Sequence, residues 1–295
     1  MTKAILVRQY GDSDHLRYES ILLPDPGPGP GEVRIRHQAI GLNFIDVYYR
    51  TGLYPPPSLP FIPGVEAAGV IESIGEAVSG FSIGDRVAYA GGPLGAYADA
   101  RNFPAERLVK IPQEISDKEA AAILLKGMTA DPVKAGETLL IHAASGGVGQ
   151  LLSQWASAIG ATVIGTVGSE EKAAIARELG CKHVINYQEE NIPQRVQEIT
   201  QGMGVPVVYD SVGHDTFQAS LACLAPRELL VSFGQSSGKV PPFDITELSQ
   251  KGSLFLTRPT LLDYVKTSSQ LTKSAQALFD MCSHGKLQTL IAMEG

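Results

Sequence analysis

The stretch from Thr138 to Gly149 constrains this chain more than any other. Thr138 to His142 is an apolar run of strand length, Ala144-Ser145-Gly146-Gly147-Val148-Gly149 is a glycine-rich string, and Val148 to Ile159 has helical spacing closed by Gly160. Strand, tight loop and helix in immediate succession place a helix N-terminus over the end of a buried parallel strand. Laid over the pattern G-x-G-x-x-G, the string supplies Ala144, Gly146 and Gly149, so the first glycine alone is replaced. Gly146 lets the backbone approach a pyrophosphate and Gly149 lets the helix pack close to the strand, while free N–H groups of the helix face the phosphates. A tight turn without a ligand would leave the same string. The order of strand, loop and helix favours a dinucleotide site.

The rest of the second half agrees with that unit. Ser116-Asp117-Lys118-Glu119 is a capping box that starts a helix before Ala120 to Leu125. Strands at Ala161 to Val167, His183 to Asn186, Val205 to Asp210, Glu228 to Phe233 and Leu254 to Thr257 alternate with helices at Glu170 to Leu179, Ile192 to Thr200 and Thr216 to Cys223. Such alternation implies right-handed crossovers and a doubly wound parallel sheet. Residues 1 to about 110 read differently, as short strands (Lys3 to Gln9, Glu32 to Ile40, Ala67 to Ile74, Asp85 to Tyr89) broken by glycine, with five prolines in an ordered loop from Tyr54 to Pro63. That pattern predicts a small barrel or sandwich. The expected fold class is α/β, a β-rich domain followed by a Rossmann domain.

Composition excludes several classes. The excess of 31 acidic over 24 basic residues gives a net charge of −7, which argues against a nucleic-acid partner. The apolar runs are too short to span a bilayer, so no membrane partner is expected. The N-terminus does not read as a signal peptide, and three widely spaced cysteines suit a reducing, cytoplasmic setting.

The identity of the dinucleotide follows from the end of the second strand. An NAD site places Asp or Glu there to hold the ribose hydroxyls. This chain has Gly168-Ser169, then Lys172 one turn into the helix, a small uncharged pocket with an ammonium that suits a 2′-phosphate; Tyr187, after the third strand, adds a phenol. NADPH is the expected cofactor, and the competing reading of Lys172 is an ordinary solvated lysine.

Eight segments together resemble the zeta-crystallin-like quinone oxidoreductases, a zinc-free branch of the medium-chain dehydrogenase/reductase superfamily. They are Gly41 to Asp46, Pro63 to Gly69, Gly84 to Val87, Leu124 to Thr129, His142 to Gly149, Tyr209 to Gly213, Val231 to Gly234 and Leu256 to Pro259, in order along nearly the whole chain. The resemblance implies a GroES-like catalytic domain at 1–125 completed by 259–295, and a Rossmann NADPH-binding domain at 126–258. It implies that Asn43, Ile45 and Asp46 line the nicotinamide side, with Lys126 and Thr129 nearby. Ser145, Gly146, Gly147 and Val148 would hold the pyrophosphate, and Ser169, Lys172 and Tyr187 the 2′-phosphate. Ser211, Phe233, Gly234, Phe255 and Thr257 would flank the cofactor, and Tyr48 and Tyr54 would wall the quinone pocket, with plain packing as the alternative for both tyrosines. A homodimer through the edge strand Leu254 to Thr257 is a further implication. Two stretches depart from the family pattern. Asp131 meets Pro132 where members carry an amphipathic helix, and the sequence stops at Gly295 where relatives continue through a helix and a strand, so either residues are absent or domain closure is altered.

Asn43 and Val65 stand where zinc-dependent relatives carry Cys and His, and no cysteine precedes Cys181, so no catalytic metal is expected. His142 reads as a packed neighbour of the glycine loop rather than a ligand or base. Without a Lewis acid the acceptor must be electron-poor. A quinone oriented by Asn43, Tyr48 or Tyr54 qualifies, as does a conjugated enone or enal. From another class, the rival is an NADPH-binding protein with a structural or RNA-associated role and little turnover; the acidic balance speaks against RNA, and the two shortened stretches speak for low activity.

Overall fold

The computed structural model describes residues 2–21, 27–129, 135–289 and 291, so the Asp131-Pro132 junction lies outside the described residues. The chain divides into two compact units, Met1–Met128 with Leu261–His284 and Thr289–Gly295, and Thr129–Thr260 with Gly285–Gln288.

In the first unit β1 (Thr2–Val7) and β2 (Leu16–Ile21) form an antiparallel hairpin. There follow β3 (Glu32–Ile40), α1 (Phe44–Arg50), β4 (Glu66–Ile74), β5 (Arg86–Ala90), β6 (Ala100–Pro104), β7 (Val109–Lys110) and α2 (Asp117–Met128). The last five strands of that series make an antiparallel sheet in the order β6-β3-β4-β5-β7. The alternation seen in Glu32 to Ile40 sends Val33 and Ile35 into a core with Ile71, Val87, Tyr89 and Phe103. The hairpin is tied on by Ile5 N–H to Tyr97 O (2.8 Å) and Val7 N–H to Phe61 O (2.9 Å). The capping box at Ser116 forms as expected: Ser116 N–H donates to Glu119 Oε2 (2.9 Å) and Glu119 N–H to Ser116 Oγ (3.2 Å). From that start α2 buries Ala120, Ala121, Ile123 and Leu124 against β3, β4 and β5.

Helix α1 is not expected from the sequence. Phe44, Ile45, Val47, Tyr48 and Tyr49 favour strands by propensity, and tertiary context overrides them. The turn is closed at its start by Asn43, whose backbone N–H donates to Asp46 Oδ2 (2.9 Å).

The second unit runs β8 (Thr138–Ile141), α3 (Gly147–Ala158), β9 (Thr162–Val167), α4 (Glu170–Glu178), β10 (Cys181–Asn186), α5 (Ile192–Ile199), β11 (Val205–Asp210), α6 (Phe217–Cys223), β12 (Leu224–Ser232), α7 (Thr246–Gln250) and β13 (Phe255–Thr257). Its six strands are all parallel, in the order β10-β9-β8-β11-β12-β13. Counted within the unit this is 3-2-1-4-5-6, so the topological switch lies between β8 and β11. Apolar clusters cover both faces: Leu139, Ile141, Leu152 and Val163 on one, Leu140, Ile164, Val208 and Phe217 on the other. Gly160 and Gly180 end α3 and α4 at φ 89° and 101°. The first unit is completed by α8 (Leu261–Tyr264) and α9 (Ser268–Ser283), a helix with buried Leu271, Ala275, Leu278 and Phe279 that packs on α2.

Candidate functional site

In the second unit the glycine string sits at the carboxyl end of β8. Gly146 N–H donates to Ala143 O (2.8 Å), Gln150 N–H to Gly146 O (2.8 Å), and α3 begins at Gly147, so the first amides of the helix open onto the loop. A Cβ on Gly149 would run into Ala143 O, and one on Gly146 would lie 3.1 Å from the same oxygen. Backbone from Ser145 through Gly146, Gly147 and Val148 to Gly149 thus turns tightly into the start of α3, a geometry that could hold an anion.

Beneath the loop lies a buried polar chain that joins both sides of the switch point. Ala143 N–H and His142 Nδ1 meet Thr166 Oγ1 at 3.3 and 3.1 Å. On the other side His142 Nε2 lies 3.0 Å from Ser220 Oγ, which is 2.7 Å from Asp210 Oδ2. Asp210 also accepts from Val212 N–H (2.8 Å), Gly213 N–H (3.0 Å) and Thr216 Oγ1 (2.8 Å), which shapes the loop carrying Ser211. Burial lowers the His142 pKa. The histidine is thus a packed support of the loop.

At the end of β9 Ser169 caps α4 by accepting from Lys172 N–H (3.3 Å), and the Lys172 side chain is exposed. The Tyr187 hydroxyl lies over Gly168 so closely that a Cβ there would collide with it. Gly168, Ser169, Lys172 and Tyr187 thus share one corner of the sheet. Ser211 and Gly234 are pressed together, since a Cβ on Gly234 would strike the Ser211 backbone, and Phe233 N–H donates to Asp210 O (2.8 Å). Phe255 and Thr257 lie on the edge strand β13, where Phe255 is 61% exposed. Thr129 stands half-buried at the start of this unit.

The first unit gathers its expected residues around one that the sequence reading passed over. Glu66, the first residue of β4, is wholly buried. Its Oε2 accepts from Asn43 Nδ2 (2.7 Å) and faces Lys126 Nζ (3.4 Å), and its Oε1 accepts from Leu125 N–H (2.7 Å). Burial pushes its pKa up, against the pull of Lys126, Asn43 and the Leu125 amide. Every contact is an N–H donor, so the acceptor-only carboxylate is the form that the surroundings satisfy. Gly41 makes room for it: a Cβ there would meet both Ala121 O and the Glu66 carboxylate.

Asp46 lies in the same cluster. Its Oδ2 accepts from Asn43 N–H and from Tyr97 Oη (2.8 Å), while its buried Oδ1 has no partner among the described residues. Burial raises its pKa to about 6 despite those two bonds. Asn43 and Tyr48 are themselves nearly buried, at 4% and 8% exposure. Tyr48 packs edge-on against Phe44 and Tyr54, with ring centroids 5.3 and 5.1 Å apart, and Tyr54 is the more open of the two. Ile45 is half-buried in the first turn of α1. A signal for Glu66 was present in the sequence as one charge between Val65 and Ala67 at the start of an apolar stretch, which requires a partner if the stretch is buried.

This donor set does not suit zinc. It offers two carboxylates and an amide with an ammonium already against Glu66, and among the described residues no three His, Cys, Asp or Glu side chains are grouped to hold a metal. No helix of the described residues is long and apolar enough to cross a membrane.

Comparison with known proteins gives the same two-part division. Residues 29–113 match the family model for the alcohol dehydrogenase GroES-like domain, and residues 147–269 match that for zinc-binding dehydrogenases. A quinone oxidoreductase of Pseudomonas aeruginosa is 49% identical, covering 98% of this chain and 90% of that protein. A 2-haloacrylate reductase of Burkholderia is 44% identical over 99% and 91% of the two chains. The crystal structure of the Escherichia coli quinone oxidoreductase complexed with NADPH superposes with a TM-score of 0.95 at 44% identity, covering 98% of this chain and 90% of that one.

Proposed function

The chain belongs to the quinone oxidoreductase family of the medium-chain dehydrogenase/reductase superfamily, and from that membership we propose that it reduces quinones with NADPH. The observation that carries the cofactor choice is the corner at Gly168 and Ser169, where a ribose-binding carboxylate is replaced by small residues beside Lys172 and Tyr187. Ser145 to Gly149 and the first amides of α3 hold the pyrophosphate, and Ser169, Lys172 and Tyr187 hold the 2′-phosphate. Bound NADPH supplies a hydride.

The first unit supplies the groups that meet the acceptor: Asn43 and Asp46 at the start of α1, Lys126 at the end of α2, and the aromatic walls Tyr48 and Tyr54. A quinone is electron-poor and gains aromaticity on reduction, so orientation and hydrogen-bond donors suffice where an alcohol dehydrogenase needs a Lewis acid. Water completes protonation of the product.

The similarity to a 2-haloacrylate reductase favours a second reading, reduction of a conjugated carbonyl compound at the same site. Steady-state NADPH oxidation with naphthoquinone and with a medium-length enone ranks the two. Faster turnover of the quinone supports the first reading, and faster turnover of the enone replaces it. The open edge of β13, with Phe255 exposed, supports a homodimer joined sheet to sheet, which sedimentation of wild type and Phe255→Lys tests. The three free cysteines suit a cytosolic protein.

A further inference from the structure

A carboxylate taken wholly out of water is costly unless it is paired and hydrogen-bonded. Glu66 reaches three groups from two other elements: the Asn43 amide at the head of α1, and the Leu125 N–H and Lys126 ammonium in the last turns of α2. Asn43 and Lys126 contact the same oxygen, Oε2. The Lys126 side chain keeps 19% of its surface exposed, whereas Glu66 keeps none. The ammonium is therefore anchored on Glu66 at the end of a side chain that is itself not wholly enclosed.

We propose that Lys126 is the charged donor to the acceptor oxygen and that Glu66 is its positioning residue, holding the ammonium beside Asn43 at the reacting face of the first unit. This deepens the quinone reading and rests on it. Hydride addition to a quinone places negative charge on the carbonyl oxygen, and that oxygen takes a proton to give the hydroquinone. A preorganised ammonium stabilises the charge as it forms, without being consumed, and water supplies the proton. Lysine has four rotatable bonds in its stem, so without Glu66 it would spend its freedom in solvent. Glu66 also fixes the Asn43 carboxamide with its NH₂ toward Oε2, because an ionised carboxylate can only accept. Asp46 adds a second acidic group to the same cluster and lies near enough to feel the Lys126 charge.

The test compares Glu66→Gln, Lys126→Met and the double variant Glu66→Gln/Lys126→Met. Turnover of naphthoquinone is measured at saturating NADPH, and NADPH affinity is measured by fluorescence without acceptor. The expected result is a fall in kcat of about 10-fold to 100-fold for each single variant, with NADPH affinity falling by much less than kcat. The double variant falls no further than Lys126→Met, because the glutamine carbonyl oxygen still accepts from Asn43 and what Glu66→Gln removes is the hold on the ammonium. Unchanged kcat in folded Glu66→Gln overturns the proposal. So do losses that multiply in the double variant, or an NADPH affinity that weakens as much as kcat. If Glu66→Gln does not fold, Lys126→Arg and Lys126→Met decide: the arginine variant keeps more of the rate at unchanged NADPH affinity, and equal rates for the two overturn the assignment. A wild-type protein that turns over no quinone refutes the quinone reading itself, a result distinct from an active wild type matched by its variants.

Discussion

His37 makes one share of the pH dependence of stability calculable from a single side chain. It lies in β3, with Nδ1 2.6 Å from Ala98 O and Nε2 3.0 Å from Tyr89 Oη. The carbonyl can only accept, so Nδ1 carries the proton and Nε2 takes the tyrosine hydrogen, and the ring is neutral. The Tyr89 ring stacks on Phe103 at 4.1 Å, and the Arg101 guanidinium lies 5.6 Å from one ring centroid and 4.8 Å from the other. Burial lowers the His37 pKa from 6.5 to about 4; Arg101 adds to the effect, and the Ala98 carbonyl and Asp99 oppose it. A histidine whose folded pKa is depressed protonates more readily in the unfolded chain. Its contribution is intact above about 6.5 and is lost as the pH falls toward 4. The full difference is about 3 kcal/mol, of which about 2 kcal/mol is lost between pH 7 and pH 5. Urea unfolding followed by far-ultraviolet circular dichroism at both pH values, for wild type and His37→Gln, isolates this share because the other titrating groups are common to both. Wild type is expected to lose about 2 kcal/mol more than the variant on acidification. Equal losses would refute the assignment of a neutral, half-buried His37.

Lys172→Ala is expected to raise the KM for NADPH about tenfold or more and leave NADH kinetics nearly unchanged, since a charge-assisted contact contributes about 1.5–3 kcal/mol; equal effects on both cofactors remove Lys172 from the 2′-phosphate site. Gly149→Ala forces a Cβ against Ala143 O and is expected to weaken NADPH binding, measured by fluorescence titration, together with a lowered melting temperature. Asp46 has a folded pKa raised to about 6, so its bound proton stabilises the fold below 3.8 and that stabilisation is lost as the pH rises through 6. Between pH 5 and pH 8 urea unfolding should move about 1 kcal/mol in favour of Asp46→Asn relative to wild type.

The second unit was legible because its signals are local. A strand, its loop and the following helix lie within Thr138 to Ala158, and the closing glycines Gly160 and Gly180 mark helix ends where they were expected. The first unit was less legible. The residues of α1 favour strands, and what makes them helical is the pairing of Asn43 with Asp46 and the packing of Tyr48 among Phe44 and Tyr54. Strand β2 went unnoticed because much of its side-chain surface faces solvent and leaves little apolar pattern. Of the site residues, the glycines announced themselves by spacing. Glu66 showed only as a lone charge in an apolar stretch; its partners Asn43, Leu125 and Lys126 lie up to 60 residues away, and no local pattern encodes them. The same holds for Thr166, His142, Ser220 and Asp210, which meet only when the sheet is assembled.

That buried chain has a consequence of polarity. Ser220 owns a single hydroxyl hydrogen, and Asp210, which can only accept, claims it. His142 must then offer a hydrogen from Nε2, which leaves Nδ1 bare and obliges Thr166 to turn its own hydrogen toward the imidazole. The Thr166 oxygen is thereby left to receive Ala143 N–H. Every link points the same way, from the backbone of the glycine loop down to a single anion, so the helix-and-loop turn is electrically grounded in the floor of the sheet.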